Sequence, residues 1–209
     1  MKRTAAAKSP DEDDLKSRLL RATDEILNEQ GVENFSLREA ARRSGVSHGA
    51  PAFHYGDAAG LLTAYAADGF DTLAKLMLRY RAEARPDPKS QLAAAGLAYI
   101  DYAIGHRARF QLMFRSDRLK GDEVCLKEAA KRAFEQLQAV VAPFIGSSRT
   151  KEQERSIKLL MAWSIVHGFA SLVLEGHLAH FQGTAISAAM RLQMSRKLIE
   201  RFVDGWNAG

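Results

Sequence analysis

The chain has 209 residues, 46% of them apolar, and a formal net charge of +5. This size allows one large domain or two small ones with a substantial core. The single cysteine, Cys125, excludes an intramolecular disulfide framework, and the N-terminal segment lacks the apolar stretch of a secretory signal. Apolar residues follow a helical period almost throughout, with no convincing alternation of period two. The sequence therefore predicts an all-α, cytoplasmic protein with no membrane partner.

The first predicted helix begins in residues 9–12, Ser-Pro-Asp-Glu, which have the order of an N-cap, a first-turn proline and a capping-box acid. It continues to about Glu29, and Gly31 is its expected C-terminal stop. Its apolar face repeats at helical spacing and consists of Leu15, Leu19, Ala22 and Ile26.

The stretch from Ser36 to Leu62 has the spacing of a helix-turn-helix. Ser36 and Glu39 form a capping box that predicts a short helix over residues 37–43. We expect Ser47 to cap a second short helix that begins there, the element that enters the DNA major groove in such motifs. Three residues suit the turn between these helices. Ala41 is small enough for the second helix to pack on it, Gly45 permits positive φ, and Val46 is an apolar wedge between the helices.

Net charge does not by itself explain DNA binding by this region. Residues 1–60 contain nine Lys or Arg against ten Asp or Glu. Binding would therefore depend on the placement of individual cations. Arg38, Arg42 and Arg43 beside His48 are expected to form a small basic face, with help from the basic N-terminal tail.

The rest of the chain predicts a helical body. Asp57 is expected to cap a long fourth helix that reaches about Ala84, and Asp87 with Pro88 begins a fifth that runs toward Gly105. Further helical segments follow at 107–115, about 122–142, about 151–180 and from 184 to about 206. The prediction is about nine helices, divided into a three-helix head over residues 1–56 and an all-α regulatory and dimerisation domain over 57–209.

The last two long helices carry more apolar surface than one domain needs. The eighth is apolar on more than one face, which requires burial on both sides. The ninth has an apolar residue at every fourth position, the row that packs into a neighbouring helix, formed by Ile186, Met190, Met194, Leu198, Phe202 and Trp206. We predict a homodimer that pairs helices 8 and 9 of each chain in a four-helix interface.

Two motifs relate the chain to a known family. The three-helix head enters its second motif helix through Gly45-Val46-Ser47, and the segment AWSIVHGF matches a W-x-x-x-H-G pattern at Trp163, His167 and Gly168. The preceding segment, AYIDYAIGHRARFQLMF, also resembles the domain class that is named after this pattern. Head and body together resemble the tetracycline-repressor (TetR) family, with a C-terminal domain of the W-x-x-x-H-G class.

The resemblance implies a homodimeric transcriptional regulator, usually a repressor, that reads a palindromic double-stranded DNA operator with half-sites about 34–36 Å apart. By position, Ser36 would contact phosphate and residues 47–55 would read the groove. The sequence departs from the usual pattern of the family at three positions. Ala52 replaces an aromatic residue, Ala58 replaces a lysine, and Pro51 lies one turn into the reading helix. The expected DNA-binding residues are Ser36, Arg38, Arg42, Ser47, His48, Gly49, Ala50, Ala52, Phe53, His54 and Tyr55.

The resemblance also implies an apolar cavity in the body, whose small-molecule effector moves helix 4 and releases DNA. The alternative role for each aromatic or methionine is core packing, and for His167 a structural hydrogen bond. Gly168 would allow close helix approach. The candidate lining residues are Phe110, Met113, Phe114, Phe134, Trp163 and His167.

Other chemistry is not expected. His177 and His180 are one turn apart, but nothing nearby in sequence supplies further metal ligands, so we predict no metal or other cofactor. No phosphate-binding loop or nucleophile elbow is present, so we predict no enzymatic activity. Two alternatives stay open: a small-molecule-binding helical protein with a vestigial head, and a DNA binder without an effector.

Overall fold

The structure is a computed structural model that describes residues 10–145, 151–178 and 187–206, with the side chains of residues 10–13 and 151 not described. Within those ranges the fold is all-α, as predicted, and contains no strand. Expectations for Ser9, the basic tail, His180 and Ile186 lie outside the described residues. The helices are α1 (Pro10–Gln30), α2 (Leu37–Ser44), α3 (Ala50–Tyr55), α4 (Ala58–Glu83), α5 (Pro88–Gly105), α6 (Arg107–Met113), α7 (Val124–Val141), α8 (Lys151–Leu174) and α9 (Ala188–Asp204), with 3-10 turns at Val32–Asn34 and Ala142–Phe144.

Side-chain caps begin several helices where the sequence predicted them. The Ser36 hydroxyl accepts from the Glu39 N–H at 3.3 Å and begins α2. Asp57 accepts from the Gly60 N–H at 2.8 Å and begins α4. Gly45 ends α2 at φ +67, a left-handed conformation that residues with a Cβ adopt at a cost. The predicted turn geometry is confirmed.

The start of α3 differs from the prediction. Ser47 does not cap it; residues 47–49 form a turn closed by the Ala50 N–H on the Ser47 carbonyl at 3.1 Å, and Gly49 is the N-cap. Pro51 is therefore the second residue of the helix, not a residue one turn inside it. A proline in the first turn removes no helical hydrogen bond and presets the backbone, so Pro51 supports α3.

Two clusters of buried side chains meet on α4. The first holds α1 and α2 against the start of α4, and it includes Leu61, Tyr65 and, from α6, Leu112. The second begins at Ala66 and fills the body between α4, α5, α7, α8 and α9. Because α4 contributes to both, it is the structural connection between head and body. The boundary between residues 56 and 57 stays a prediction.

The apolar helix α8 packs on α5 and α7 by one face. Leu159, Val166 and Phe169 are buried there, whereas Leu160 and Met161 on the other face are 61% and 48% exposed. Among the described residues, Glu152–Leu174 is long and apolar enough to cross a bilayer by length and composition. The packing of its buried face on α5 and α7 favours the predicted buried helix over a membrane span.

Candidate functional site

The turn and helix α3 form an exposed surface on the head. Phe53 is 86% exposed, and its ring lies perpendicular to the neighbouring ring of His54, at 5.1 Å between centroids. The other predicted reading residues are exposed, namely Ser47, His48, Gly49, Ala52 and His54, or half-buried, namely Ala50 and Tyr55. The α3 surface, residues 47–55 together, is therefore available to a partner.

The basic face beside α3 is smaller than predicted. The Arg42 guanidinium donates twice to the Glu39 carboxylate, at 2.8 and 2.7 Å. Arg43 is largely buried and pairs with both Glu39 and Glu29 at 2.8 Å. These hydrogen bonds from Arg42 and then Arg43 lower the pKa of Glu39 to about 2. Of the three arginines, Arg38 is the exposed one with no ion pair among the described residues.

A cation that sequence reasoning missed lies at the N-terminus of α4. Lys120, from the segment between α6 and α7, pairs with Asp57 at 3.0 Å between Nζ and Oδ1. Its backbone N–H donates to the Thr63 hydroxyl at 2.9 Å. Ala58 leaves this end of α4 without a lysine of its own, and Lys120 supplies one from 62 positions later in the chain. No local pattern could have shown this placement.

The body contains a cavity of about 590 Å³ between α4, α5, α7, α8 and α9. Three of the predicted lining residues, Phe114, Phe134 and Trp163, line it. This volume is within the usual range for small-molecule sites. Its walls are mostly apolar, and the polar groups in the lining are the Tyr99 hydroxyl and the amino groups of Lys127 and Lys131.

The Tyr99 hydroxyl joins the two motif residues of α8. The Trp163 indole N–H donates to it at 3.2 Å, and it lies 2.8 Å from Nδ1 of His167. Burial lowers the pKa of His167, which favours the neutral ring and lets Nδ1 accept from the hydroxyl. Burial also raises the pKa of Tyr99. His167 therefore has the structural hydrogen bond that was its alternative role.

The remaining predicted lining residues lie elsewhere. Phe110 and His167 line a second groove, of about 400 Å³, between the end of α1, α6 and α8. Met113 lines neither space: it is 4% exposed, and its sulfur accepts from the Tyr102 hydroxyl at 3.5 Å. For Met113, core packing replaces the predicted cavity role. Gly168 is exposed, and a Cβ there would meet no atom of the described residues within 4 Å, so it does not serve close contact with any of the helices described.

A second group missed from the sequence joins the head to the body. We call Asp24, Tyr65, Asp68 and Arg109 the Arg109 cluster. Arg109 pairs with Asp68 at 2.7 Å and Asp24 at 3.5 Å, and its guanidinium lies 4.1 Å from the Tyr65 ring centroid. The Tyr65 hydroxyl donates to Asp24. The cluster thus connects α1, α4 and α6.

The histidine pair considered for a metal lies partly outside the described residues. His177 pairs with Glu175 at 3.1 Å. Among the residues that can be examined, no group of three potential ligands could hold a metal ion.

Comparison with known proteins gives concordant matches. A family model described as Tetracyclin repressor-like, C-terminal domain, matches residues 92–195, about half of the chain. The HTH-type transcriptional regulator BetI of Stenotrophomonas maltophilia (strain R551-3) is 35% identical over 79 residues, so the match spans 38% of this chain and 40% of that relative's length.

Solved structures extend the likeness to the whole chain. A protein with unknown function from Rhodococcus sp. RHA1 is 27% identical, with a TM-score of 0.73 over 98% of this chain and 99% of its own. A TetR family transcription regulator from Marinobacter aquaeolei VT8 shares the fold at 14% identity, with a TM-score of 0.66 over 95% and 98% of the two chains.

Proposed function

The chain belongs to the tetracycline-repressor (TetR) family, and we propose that it is a DNA-binding transcriptional repressor, whose bound head blocks transcription. The observation that carries this proposal is the exposed α3 surface, where an aromatic ring, Phe53, is 86% exposed on a helix-turn-helix. A phenylalanine so exposed does not contribute to the core. Contact with a thymine methyl group or a sugar edge in DNA would explain its exposure.

The proposed operator contacts combine groove reading with phosphate anchoring. Residues 47–55 read base edges, and the Ser36 hydroxyl at the start of α2 contacts phosphate. Arg38, which has no ion pair among the described residues, would contact phosphate directly, and Lys120 would exchange its single contact with Asp57 for phosphate. Arg42 is held by two hydrogen bonds to Glu39. Because phosphate contacts supply much of DNA affinity, Lys120 would partly replace the phosphate anchor that is missing where Ala58 stands in place of a lysine.

We propose that the protein acts as a homodimer through α8 and α9. Leu160 and Met161 on α8, with Met190 and Leu192 on α9, are exposed apolar side chains on neighbouring helices. An isologous contact would bury both faces and fix the two α3 helices about 34–36 Å apart, as a palindromic operator requires. Gly168, exposed on α8, would then allow close approach of the partner helix.

The cavity would hold the effector that releases DNA. A ligand shifts the protein toward the state it binds better, and here that state would have α4, and hence the head, moved away from the DNA-bound arrangement.

The proposed domains are the DNA-binding head, residues 1–56, and the regulatory body, residues 57–209.

Selection of bound duplexes from a random library, followed by gel-shift titration at several salt concentrations, tests the DNA-binding proposal. We expect an enriched palindrome whose binding weakens by about tenfold or more in Phe53→Ala. Val124→Ala is the matched control, because Val124 is also an exposed apolar residue, at 66%, but lies on α7. Enrichment of no sequence at any salt concentration would refute regulation through DNA and favour a small-molecule-binding protein with a vestigial head.

Sedimentation analysis tests the dimer. Leu160→Glu places a charge in the proposed interface and is expected to yield monomers at concentrations where the unaltered protein is dimeric. Val124→Glu, with the same chemical change outside α8 and α9, should stay dimeric. A Leu160→Glu protein that remains fully dimeric would place the interface elsewhere.

A further inference from the structure

The chemistry of the cavity wall restricts what can enter it. Aliphatic and aromatic side chains from α4, α5, α7, α8 and α9 form most of the lining, and no acidic residue among those that the structure describes contributes to it. The hydroxyl of Tyr99 is already engaged by Trp163 and His167. A polar or charged group deep in the cavity would lose its water and gain no new partner, so the buried part of a ligand must be apolar.

The cations of the lining lie together at one side. Lys127 and Lys131 are one turn apart on α7, with 59% and 74% of their side chains exposed. Phe134 on the same helix and Trp163 on α8 are also partly exposed, at 43% and 38%. Since the other lining residues are more deeply placed, these four side chains mark where the cavity opens to solvent.

Both lysines can exchange their present partners for a ligand. Lys127 pairs with Asp122, a fully exposed carboxylate, at 2.8 Å, and the distance from Lys131 to Glu135 is 3.9 Å. Exposed ion pairs of this kind contribute little stability. An anionic group at the opening would therefore meet two positive charges at small cost.

We propose that the cavity binds an amphipathic monocarboxylate, with its apolar chain between α5, α7 and α8 and its carboxylate between Lys127 and Lys131. This inference rests on the proposed function, because it names the chemical class of the effector. The same arrangement disfavours amphipathic cations, which would meet like charges at the opening, and compact polar molecules, which would leave the apolar wall unfilled.

Calorimetric titration of the full-length protein with three probes of equal chain length tests the charge preference. The probes are dodecanoate, dodecan-1-ol and dodecyltrimethylammonium, each below its aggregation concentration. We expect dodecanoate to bind about tenfold more tightly than the alcohol, with an advantage that shrinks as salt rises, and the cation to bind most weakly. Equal affinity for acid and alcohol, tighter binding of the cation, or no binding of dodecanoate would each overturn the proposal.

Variants test the location. Lys127→Gln with Lys131→Gln should reduce dodecanoate affinity about tenfold and leave dodecan-1-ol unchanged. The control is Lys75→Gln with Arg79→Gln, which removes the same charge from exposed positions on α4 that do not line the cavity. Ala130→Leu places bulk between the two lysines and should weaken both ligands. Unchanged dodecanoate binding in either the lysine or the leucine variant would contradict the proposed site.

A gel-shift in the presence of dodecanoate separates this inference from the proposed function. Binding that depends on the lysines, with no effect on DNA affinity, would refute the effector role and leave the ligand class standing. If dodecanoate releases DNA equally well from the unaltered protein and from the Lys127→Gln, Lys131→Gln variant, the carboxylate site is refuted but the proposed regulatory function is not.

Discussion

Replacement of Arg109 by methionine tests how the head is held on the body. Arg109 is 13% exposed, whereas its partners Asp24 and Asp68 are 39% and 42% exposed. Hydrogen bonds to charged groups contribute about 1.5–3 kcal/mol, reduced here by the exposure of both acids. The guanidinium over Tyr65 adds about 0.5–2 kcal/mol. Because methionine keeps the apolar contacts of the stem, we expect Arg109→Met to lower the free energy of unfolding by about 2–3 kcal/mol.

Thermal unfolding followed by circular dichroism measures this change. For a chain of this length, a loss of about 2–3 kcal/mol corresponds to a decrease in Tm of roughly 4–12 °C. Protein concentration must be held constant, because dimerisation would make Tm concentration-dependent. Arg107→Met is the matched control: Arg107 begins the same helix, is exposed and has no ion pair in the part of the chain that the structure describes. Its Tm should change by less than about 2 °C.

Arg109→Lys separates charge from geometry. Lysine keeps the positive charge but loses the planar group that covers the Tyr65 ring and reaches two acids, so an intermediate Tm is expected. If Arg109→Met decreases Tm no more than Arg107→Met does, the Arg109 cluster does not stabilise the head–body contact. A lysine variant as stable as the unaltered protein would show that net charge alone suffices.

Four further changes probe other contacts. Gly69→Ala should cost about 1–3 kcal/mol, measured by urea denaturation, because its Cβ would lie 2.8 Å from a methionine sulfur; unaltered stability would contradict this. Tyr99→Phe should cost about 0.5–1.5 kcal/mol in the same assay, because the part-buried ring nitrogen atoms of Trp163 and His167 lose their hydrogen-bond partner. Burial lowers the pKa of His167 from 6.5, so the folded state binds fewer protons and stability should fall as pH decreases below 6.5. Tm measured from pH 7.5 to 5.5 should fall less in His167→Gln, and parallel curves would refute a role for that ring. Lys120→Gln should weaken DNA binding about two- to tenfold across sequences and reduce its salt dependence, whereas Lys75→Gln should not.

The elements that the sequence predicted well depend on nearby residues. Ser36, Gly45 and Asp57 act on backbone groups within four positions of themselves, so their patterns are readable without a tertiary structure. The start of α3 was misplaced because Ser47 and Gly49 both suit an N-cap. Pro51 settles that choice, since α3 begins where proline is its second residue.

The contacts that escaped prediction join residues far apart in the chain. Arg109 pairs with Asp24 from 85 positions earlier, and Tyr99 meets His167 68 positions later. Arg42 was expected on a free basic face, although Glu39, three residues earlier, was available to pair with it. That pair was readable from the i,i+3 spacing. The distant pairs were not, because they depend on which helices become neighbours.

The proposed release of DNA requires a physical connection from the cavity to α3, and the segment of residues 107–120 is placed to provide it. On the body side, Phe114 lines both the cavity and the groove beside α1, and its ring contacts His167 at 4.7 Å between centroids. On the head side, Leu112 belongs to the head core, and Arg115 and Arg118 both pair with Glu33.

The same segment continues to the reading helix. Lys120 is paired with Asp57, the N-cap of α4, two residues after α3 ends at Tyr55. A ligand that displaces Phe114 therefore acts on a segment that is bonded to the head through Asp24 of the Arg109 cluster and through Glu33, and to the N-cap of α4 at Asp57. Coupling needs only that these bonds have different strengths in the two arrangements, because a ligand shifts an equilibrium by its difference in affinity. The Arg109 variants therefore test regulation as well as stability. In a variant with a weakened Arg109 cluster, ligand binding in the cavity should reduce DNA affinity less than it does in the unaltered protein.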